Sequence, residues 1–126
     1  MRRTRYAKAF HKGHKAGMNK TEQVYEGYLA GLKLAGVIED FWYEAWSLKI
    51  ADDTRYTPDF IVLRDGFIEA HEVKAGKMDK AGKIIPLSED ASRIKIRVAA
   101  ETFPLRFVLA WLYKGEWHFK QIGETE

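Results

Sequence analysis

Apolar and polar positions alternate with two different periods along this chain, and the switches between them mark its elements. Between Asn19 and Ala35 the apolar set Tyr25, Tyr28, Leu29 and Leu32 has helical spacing, which predicts a helix that stops near Gly36. Asn19 is placed to cap it, with Glu22 three residues later in capping-box position and Thr21 as a rival cap. Phe41 to Ile50 reads as a strand and Asp52-Asp53 as a turn. The stretch "YTPDFIVLRDGFIEAHEVK", Tyr56 to Lys74, reads as two strands joined by Asp65-Gly66. Ala75 to Leu87 reads as a loop rich in Gly and Lys. Ser88 can cap a second helix that ends near Phe103, ahead of Pro104. "RFVLAWLY" and "EWHFKQI" then flank Lys114-Gly115 as a second hairpin. Helix, three strands, helix, two strands implies an α+β or mixed α/β domain with an antiparallel meander.

The Asp65-Gly66 turn fixes a register. With those two residues as the loop, Arg64 faces Phe67, Leu63 faces Ile68, Ile61 faces Ala70, and Asp59 faces Glu72. Directly opposed residues point to one side of a sheet with Cβ atoms roughly 5 Å apart. Lys74 lies two residues beyond Glu72 and shares that side. Ile61, Leu63, Ile68 and Ala70 fall there too, whereas the opposite side mixes Phe60, Val62 and Val73 with Arg64, Glu69 and His71. Two opposed carboxylates at the end of the more apolar side repel each other and lose hydration. A bound divalent cation, the Lys74 ammonium or a shared proton each offers compensation. Glu22 lies on the same helical stripe as Tyr25, Leu29 and Leu32. If that stripe covers the apolar side, Glu22 approaches the acidic pair. Glu26 flanks the stripe one turn on.

Composition adds three limits. The 126 residues suit one domain, and 46% of them are hydrophobic, enough for a core. No apolar run is long enough for a membrane span, and the basic start "MRRTRYAKAF" lacks the apolar centre of a signal peptide. With no cysteine there are no disulfides and no thiolate metal sites, and an intracellular location is the simplest expectation.

Charge is unevenly spread. The first 20 residues carry seven cations, Arg2, Arg3, Arg5, Lys8, Lys12, Lys15 and Lys20, and no acid. The remainder carries 14 basic and 18 acidic residues. Residues 1–18 therefore read as a basic arm ahead of a single domain, 19–126. Such an arm suits phosphate or another anionic surface, and equally a solvated terminus. His11 and His14 have nothing nearby to complete a metal site, and His71 and His118 read as strand residues. Trp42, Trp46, Trp111 and Trp117 read as core or interface residues rather than base-stacking platforms.

Pro58-Asp59, twelve intervening residues, then Glu72-Val73-Lys74 resembles the PD-(D/E)XK nuclease signature. The element order resembles the restriction-endonuclease-like αβββαβ core of that superfamily, here with an extra C-terminal strand. More narrowly, "NKTEQVYEGYL", "YTPDF", "HEVK" and "RIKIRVAAETFP" resemble a small phage-associated nuclease family within it, over about residues 19–113. The resemblance implies that Asp59 and Glu72 bind metal, that Lys74 is the catalytic lysine, and that Glu22 is the helical acid beside the metal. It further implies an oxygen ligand from the Val73 carbonyl and an active-site role for Lys95 on the second helix. Longer members carry an added specificity domain that these 126 residues are not expected to hold.

These residues suit phosphodiester hydrolysis. Mg²⁺ takes hard oxygen ligands and is commonly held by one or two carboxylates with water, and Mn²⁺ is expected to substitute. Lys77, Lys80 and Lys83 in the predicted loop, and Arg93 and Arg97 four apart on the predicted helix, join the basic arm and Lys95 as candidate DNA contacts. The expectation is a metal-dependent DNA endonuclease with no nucleotide cofactor, acting in recombination or repair, in the host cytoplasm if phage-encoded. A single domain of this size would cut two strands most easily as a symmetric homodimer. A Holliday-junction or branched-DNA resolvase is the leading specific alternative. A non-catalytic nucleic-acid-binding module is the alternative from another class.

Overall fold

The first helix, α1 (Lys20–Leu34), starts where its capping signals lie. The Asn19 side chain accepts from the Glu22 N–H at 2.8 Å, and Glu22 Oε1 accepts from the Asn19 N–H at 3.1 Å. Such a reciprocal cap is worth about 1 kcal/mol. Gly36, with φ of 80°, turns the chain out of the helix. The computed structural model describes residues 17–87 and 90–123. The expected cap Ser88 and most of the basic arm lie outside that range. Of the arm's last two residues, Met18 is buried in the core, and the Gly17 carbonyl accepts from the Tyr43 hydroxyl.

The strand expected over Phe41–Ile50 is two strands. β1 (Asp40–Tyr43) ends because Glu44 takes a left-handed conformation, φ 47°, while its N–H donates to the Asp59 carbonyl. The chain leaves the sheet there and forms a separate hairpin, β2 (Leu48–Ala51) with β3 (Thr54–Tyr56), around Asp52-Asp53. β4 (Phe60–Arg64) and β5 (Phe67–Met78) then pair antiparallel in the expected register, from Arg64 opposite Phe67 to Phe60 opposite His71. Asp65 and Gly66 both have positive φ, 53° and 79°, as a two-residue hairpin turn requires.

The expected loop over Ala75–Leu87 is also largely sheet. β5 runs on to Met78, and β6 (Ile84–Pro86) folds back beside it. Asp79 closes the tip by accepting from the N–H groups of Ala81 and Lys83. α2 (Asp90–Thr102) crosses back to β7 (Arg106–Tyr113), which lies parallel to β5, and β8 (Glu116–Ile122) completes the expected final hairpin. The result is a mixed α/β fold. Its main sheet has six strands, β1-β4-β5-β7-β8 with β6 on the far end of β5, and the β2–β3 hairpin stands apart.

Both faces of the sheet are covered. On one, Tyr25 and Leu29 of α1 pack with Phe60, Val62, Val73 and Ala110. On the other, Ile96 and Ala99 of α2 pack with Ile61, Ala70, Phe107, and Leu48 and Tyr56 of the small hairpin. The helix that carries Glu22 thus covers the face with mixed polarity, not the uniformly apolar one. The polar residues on that face are satisfied internally. His71 Nδ1 lies 2.6 Å from the Tyr25 hydroxyl and Nε2 lies 2.9 Å from Glu69 Oε1. Arg106 donates to Glu69 Oε2 at 3.1 Å. Burial holds His71 below its usual pKa, against the opposing pull of Glu69. The neutral ring therefore donates from Nε2 to the carboxylate and accepts at Nδ1 from Tyr25.

Candidate active site

The β4–β5 ladder stops at Phe60 opposite His71, one step short of Asp59 opposite Glu72. Asp59 leaves the pleat instead of facing Glu72 squarely. Its Oδ2 accepts from the Val73 N–H at 2.8 Å, so its side chain ties the start of β4 to the residue after Glu72. Val73 itself is buried and lies opposite Ala110 in the parallel pair of β5 with β7.

Glu72 is held from two directions. The Tyr56 hydroxyl donates to Oε1 at 2.6 Å, and the Lys74 ammonium lies 3.2 Å from Oε2. Burial and the facing Glu72 charge push the Tyr56 phenol well above its usual range, so it stays a donor. Glu22 reaches the same region from the N-terminus of α1. Its Oε1 accepts from the Asn19 N–H and from the Tyr43 hydroxyl at 2.9 Å, and it lies close enough to hydrogen-bond with Asp59. The capping role and the position beside the acidic pair belong to one side chain.

Three carboxyls therefore meet where β4 begins beside the middle of β5, and only Lys74 makes an ion pair with any of them among the described residues. The consequence falls on Asp59. Burial, then the Glu72 charge, raise its pKa to about 9, with Glu22 adding to the effect and the Val73 N–H opposing it. Without a further cation, Asp59 holds a proton at neutral pH. Hard oxygen donors under mutual repulsion are the donor set that suits Mg²⁺. Among the described residues, no three His, Asp or Glu side chains form a ready metal cluster. An ion held here would have Asp59 and Glu72 as its carboxylates and water for the rest of its shell.

On the α2 side, the acidic site opens into a cleft of about 320 Å³. Register explains its floor. Glu72 faces Leu109, Leu109 faces Lys120, and Lys74 faces Trp111. Arg93 and Arg97 of α2 form one wall, and Lys83 with the β6 residues forms the other. Of the expected DNA contacts, Lys83, Arg93 and Arg97 line this cleft beside Glu72 and Lys74. Lys77 and Lys80 are exposed on the β5–β6 arm without lining it, and Lys95 of α2 does not line it either. Arg2, Arg3, Arg5, Lys8, Lys12 and Lys15 lie outside the described residues.

Three contributors escaped the sequence reading. Tyr43 and Tyr56 look like ordinary strand aromatics until the chain break at Glu44 and the small hairpin bring them to the carboxylates. Lys120 reaches the cleft only because β8 joins β7 and β7 joins β5. No spacing along the chain signals either event. Comparison of the chain with protein-family models, with curated proteins and with solved structures finds no match.

Proposed function

We propose that the chain is a metal-dependent endodeoxyribonuclease of the PD-(D/E)XK type. One observation carries the reading: Asp59, just before β4, meets Glu72 and Lys74 in the middle of β5, where Glu72 and Lys74 open onto a cleft bordered by further cations. Without the β2–β3 hairpin and the β6 arm, the elements run α1, β1, β4, β5, α2, β7, β8. That order supports a restriction-endonuclease-like core with one added strand.

Asp59 and Glu72 would hold the ion, with Glu22 beside them and the Val73 carbonyl as a further oxygen. When bound, Mg²⁺ would polarise the phosphate and lower the pKa of its water. The chain's own groups do the rest. Tyr56 fixes one oxygen of Glu72, and the Val73 N–H fixes one oxygen of Asp59, so both carboxylates are oriented before any ligand arrives. Lys74 stands at Glu72 Oε2, placed to stabilise charge that develops on the phosphate. Arg93, Arg97, Lys83 and Lys120 draw the DNA backbone to this part of the sheet.

The test is incubation with linear, nicked, flapped, single-stranded and four-way DNA, with Mg²⁺ and with EDTA. Mg²⁺-dependent cleavage that disappears in Asp59→Asn supports the reading, and no cleavage of any substrate ends it. Preference for the four-way substrate would identify a resolvase. A second reading, a non-catalytic nucleic-acid-binding module, is favoured by the protein partners that Glu22, Asp59 and Glu72 already have. Such a module binds DNA equally with and without Mg²⁺.

A further inference from the structure

The cleft next to Glu72 has a composition that phosphate binding alone does not explain. Five cations, Lys74, Lys83, Arg93, Arg97 and Lys120, border it. Between them lies apolar surface from Ile84, Ile96, Leu109, Trp111 and Ile122. A protein that grips only the backbone of a duplex needs cations on an open surface. An apolar concavity between them would gain nothing from phosphates. Apolar floor with cationic rim is the arrangement that takes a base by its face and its phosphate by charge.

Size and position agree. About 320 Å³ lies at the small end of the range for ligand pockets, and it would take one nucleotide, not a helix. Lys120 lies two strands from Glu72, roughly 10 Å across the floor, so one nucleotide could span from the rim to the carboxylates. Trp111 supplies an aromatic ring in the floor, held by close contact. A Cβ on Gly76 would come within 2.9 Å of the indole Cδ1, so only glycine allows the ring its seat. The Trp111 Nε1 is also the only buried side-chain donor among the described residues with no hydrogen-bond partner. The site is therefore built of a fixed ring and surrounding positive charge.

We infer that this cleft receives one unpaired DNA nucleotide, its base on the Trp111 and Leu109 floor and its phosphates on the Lys83, Arg93, Arg97 and Lys120 rim. The inference deepens the nuclease reading and takes its substrate as single-stranded or locally unpaired DNA. Duplex must open at this point to enter, and a flap, junction or frayed end offers the unpaired nucleotide directly.

Equilibrium binding in EDTA tests the cleft apart from any cleavage. The probes are fluorescein-labelled oligothymidylate, a blunt duplex of equal length, and the same duplex with a single-stranded flap. Oligothymidylate and flap should bind at least about five-fold more tightly than blunt duplex, the low end of what one stacked base is worth. Ile84→Asn on the half-buried β6 and Lys120→Ala at the rim should each remove most of that preference. Oligothymidylate should quench tryptophan fluorescence, and Trp111→Phe, with an unchanged circular dichroism spectrum, should lose the quench. Equal binding of all three probes, with both variants weakening them alike, would overturn the inference and leave the nuclease reading intact. Selective binding of unpaired DNA without Mg²⁺-dependent cleavage would overturn the nuclease reading and leave the cleft assignment standing.

Discussion

Asp59 accepts a hydrogen bond from the backbone N–H of Val73, 2.8 Å away, one step past the last paired residues of the β4–β5 ladder. A carboxylate here replaces a ladder contact, so the acid is part of the ladder's end and not an appendage to it. Its proximity to Glu72 and Glu22 is built into the fold, and the chain carries the electrostatic strain with or without a ligand.

That strain makes a stability prediction. Asp59 has its pKa raised from 3.8 to about 9 in the folded chain, through burial first and the Glu72 charge second. The folded state therefore holds a proton that the unfolded state releases. Its contribution is fully present below about pH 4 and is lost as pH rises through 9. Thermal melts in EDTA should show stability falling over that window. Asp59→Asn should flatten the fall and raise the melting temperature near pH 8 by about 3–6 °C, the equivalent of roughly 1 kcal/mol. A variant that melts lower at pH 8 would contradict the assigned repulsion.

If Asp59 and Glu72 hold Mg²⁺ as proposed, the ion competes with that proton. Titrating the protein with Mg²⁺ in weak buffer near pH 7.5 should release close to one proton per bound ion, and affinity should rise with pH. Asp59→Asn and Glu72→Gln should both lose the binding isotherm and all cleavage. Full cleavage in either variant would remove these residues from the site.

Lys74 is predicted to act on the reaction more than on binding. Lys74→Ala should lower single-turnover cleavage at saturating DNA by about 100-fold or more, the scale for losing one charge-stabilising donor. DNA affinity should change far less, since four other cations border the cleft. An unchanged cleavage rate at saturation, with weaker binding, would make Lys74 a phosphate contact only.

The Tyr25–His71 hydrogen bond is structural. Tyr25→Phe leaves the buried His71 Nδ1 without its donor and should destabilise the fold by about 1–3 kcal/mol. Cleavage per folded molecule should be unaltered, because this network lies under α1, away from the cleft. Chemical denaturation alongside the cleavage assay checks both parts.

Removing residues 1–16 takes away six cations, Arg2, Arg3, Arg5, Lys8, Lys12 and Lys15. If all six meet phosphate, the slope of log affinity against log salt should become shallower by about 5. An unchanged slope would mean that the arm does not touch DNA.

Local rules account for what the sequence determined by itself. Asp65-Gly66 needs positive φ at both positions, and that requirement set the β4–β5 register and brought Asp59 beside Glu72. Asn19 and Glu22 cap each other over three residues, and Gly36 ends α1, so the helix bounds were legible too. Each of these depends on neighbours a few residues apart. The tertiary structure decided what depends on long-range partners. The face with Glu69 and His71 is mixed in polarity along the chain, yet Tyr25 and Arg106 satisfy its polar groups, and α1 covers it. The left-handed Glu44, held to the Asp59 carbonyl, diverts the chain into the hairpin that delivers Tyr56 to Glu72. The parallel pairing of β5 with β7, and then of β7 with β8, brings Leu109 and Lys120 into line with Glu72. Hydrogen-bond partners and cleft walls come from residues far apart in the chain, and only the assembled sheet, with a helix on each face, selects among the pairings that the local pattern allows.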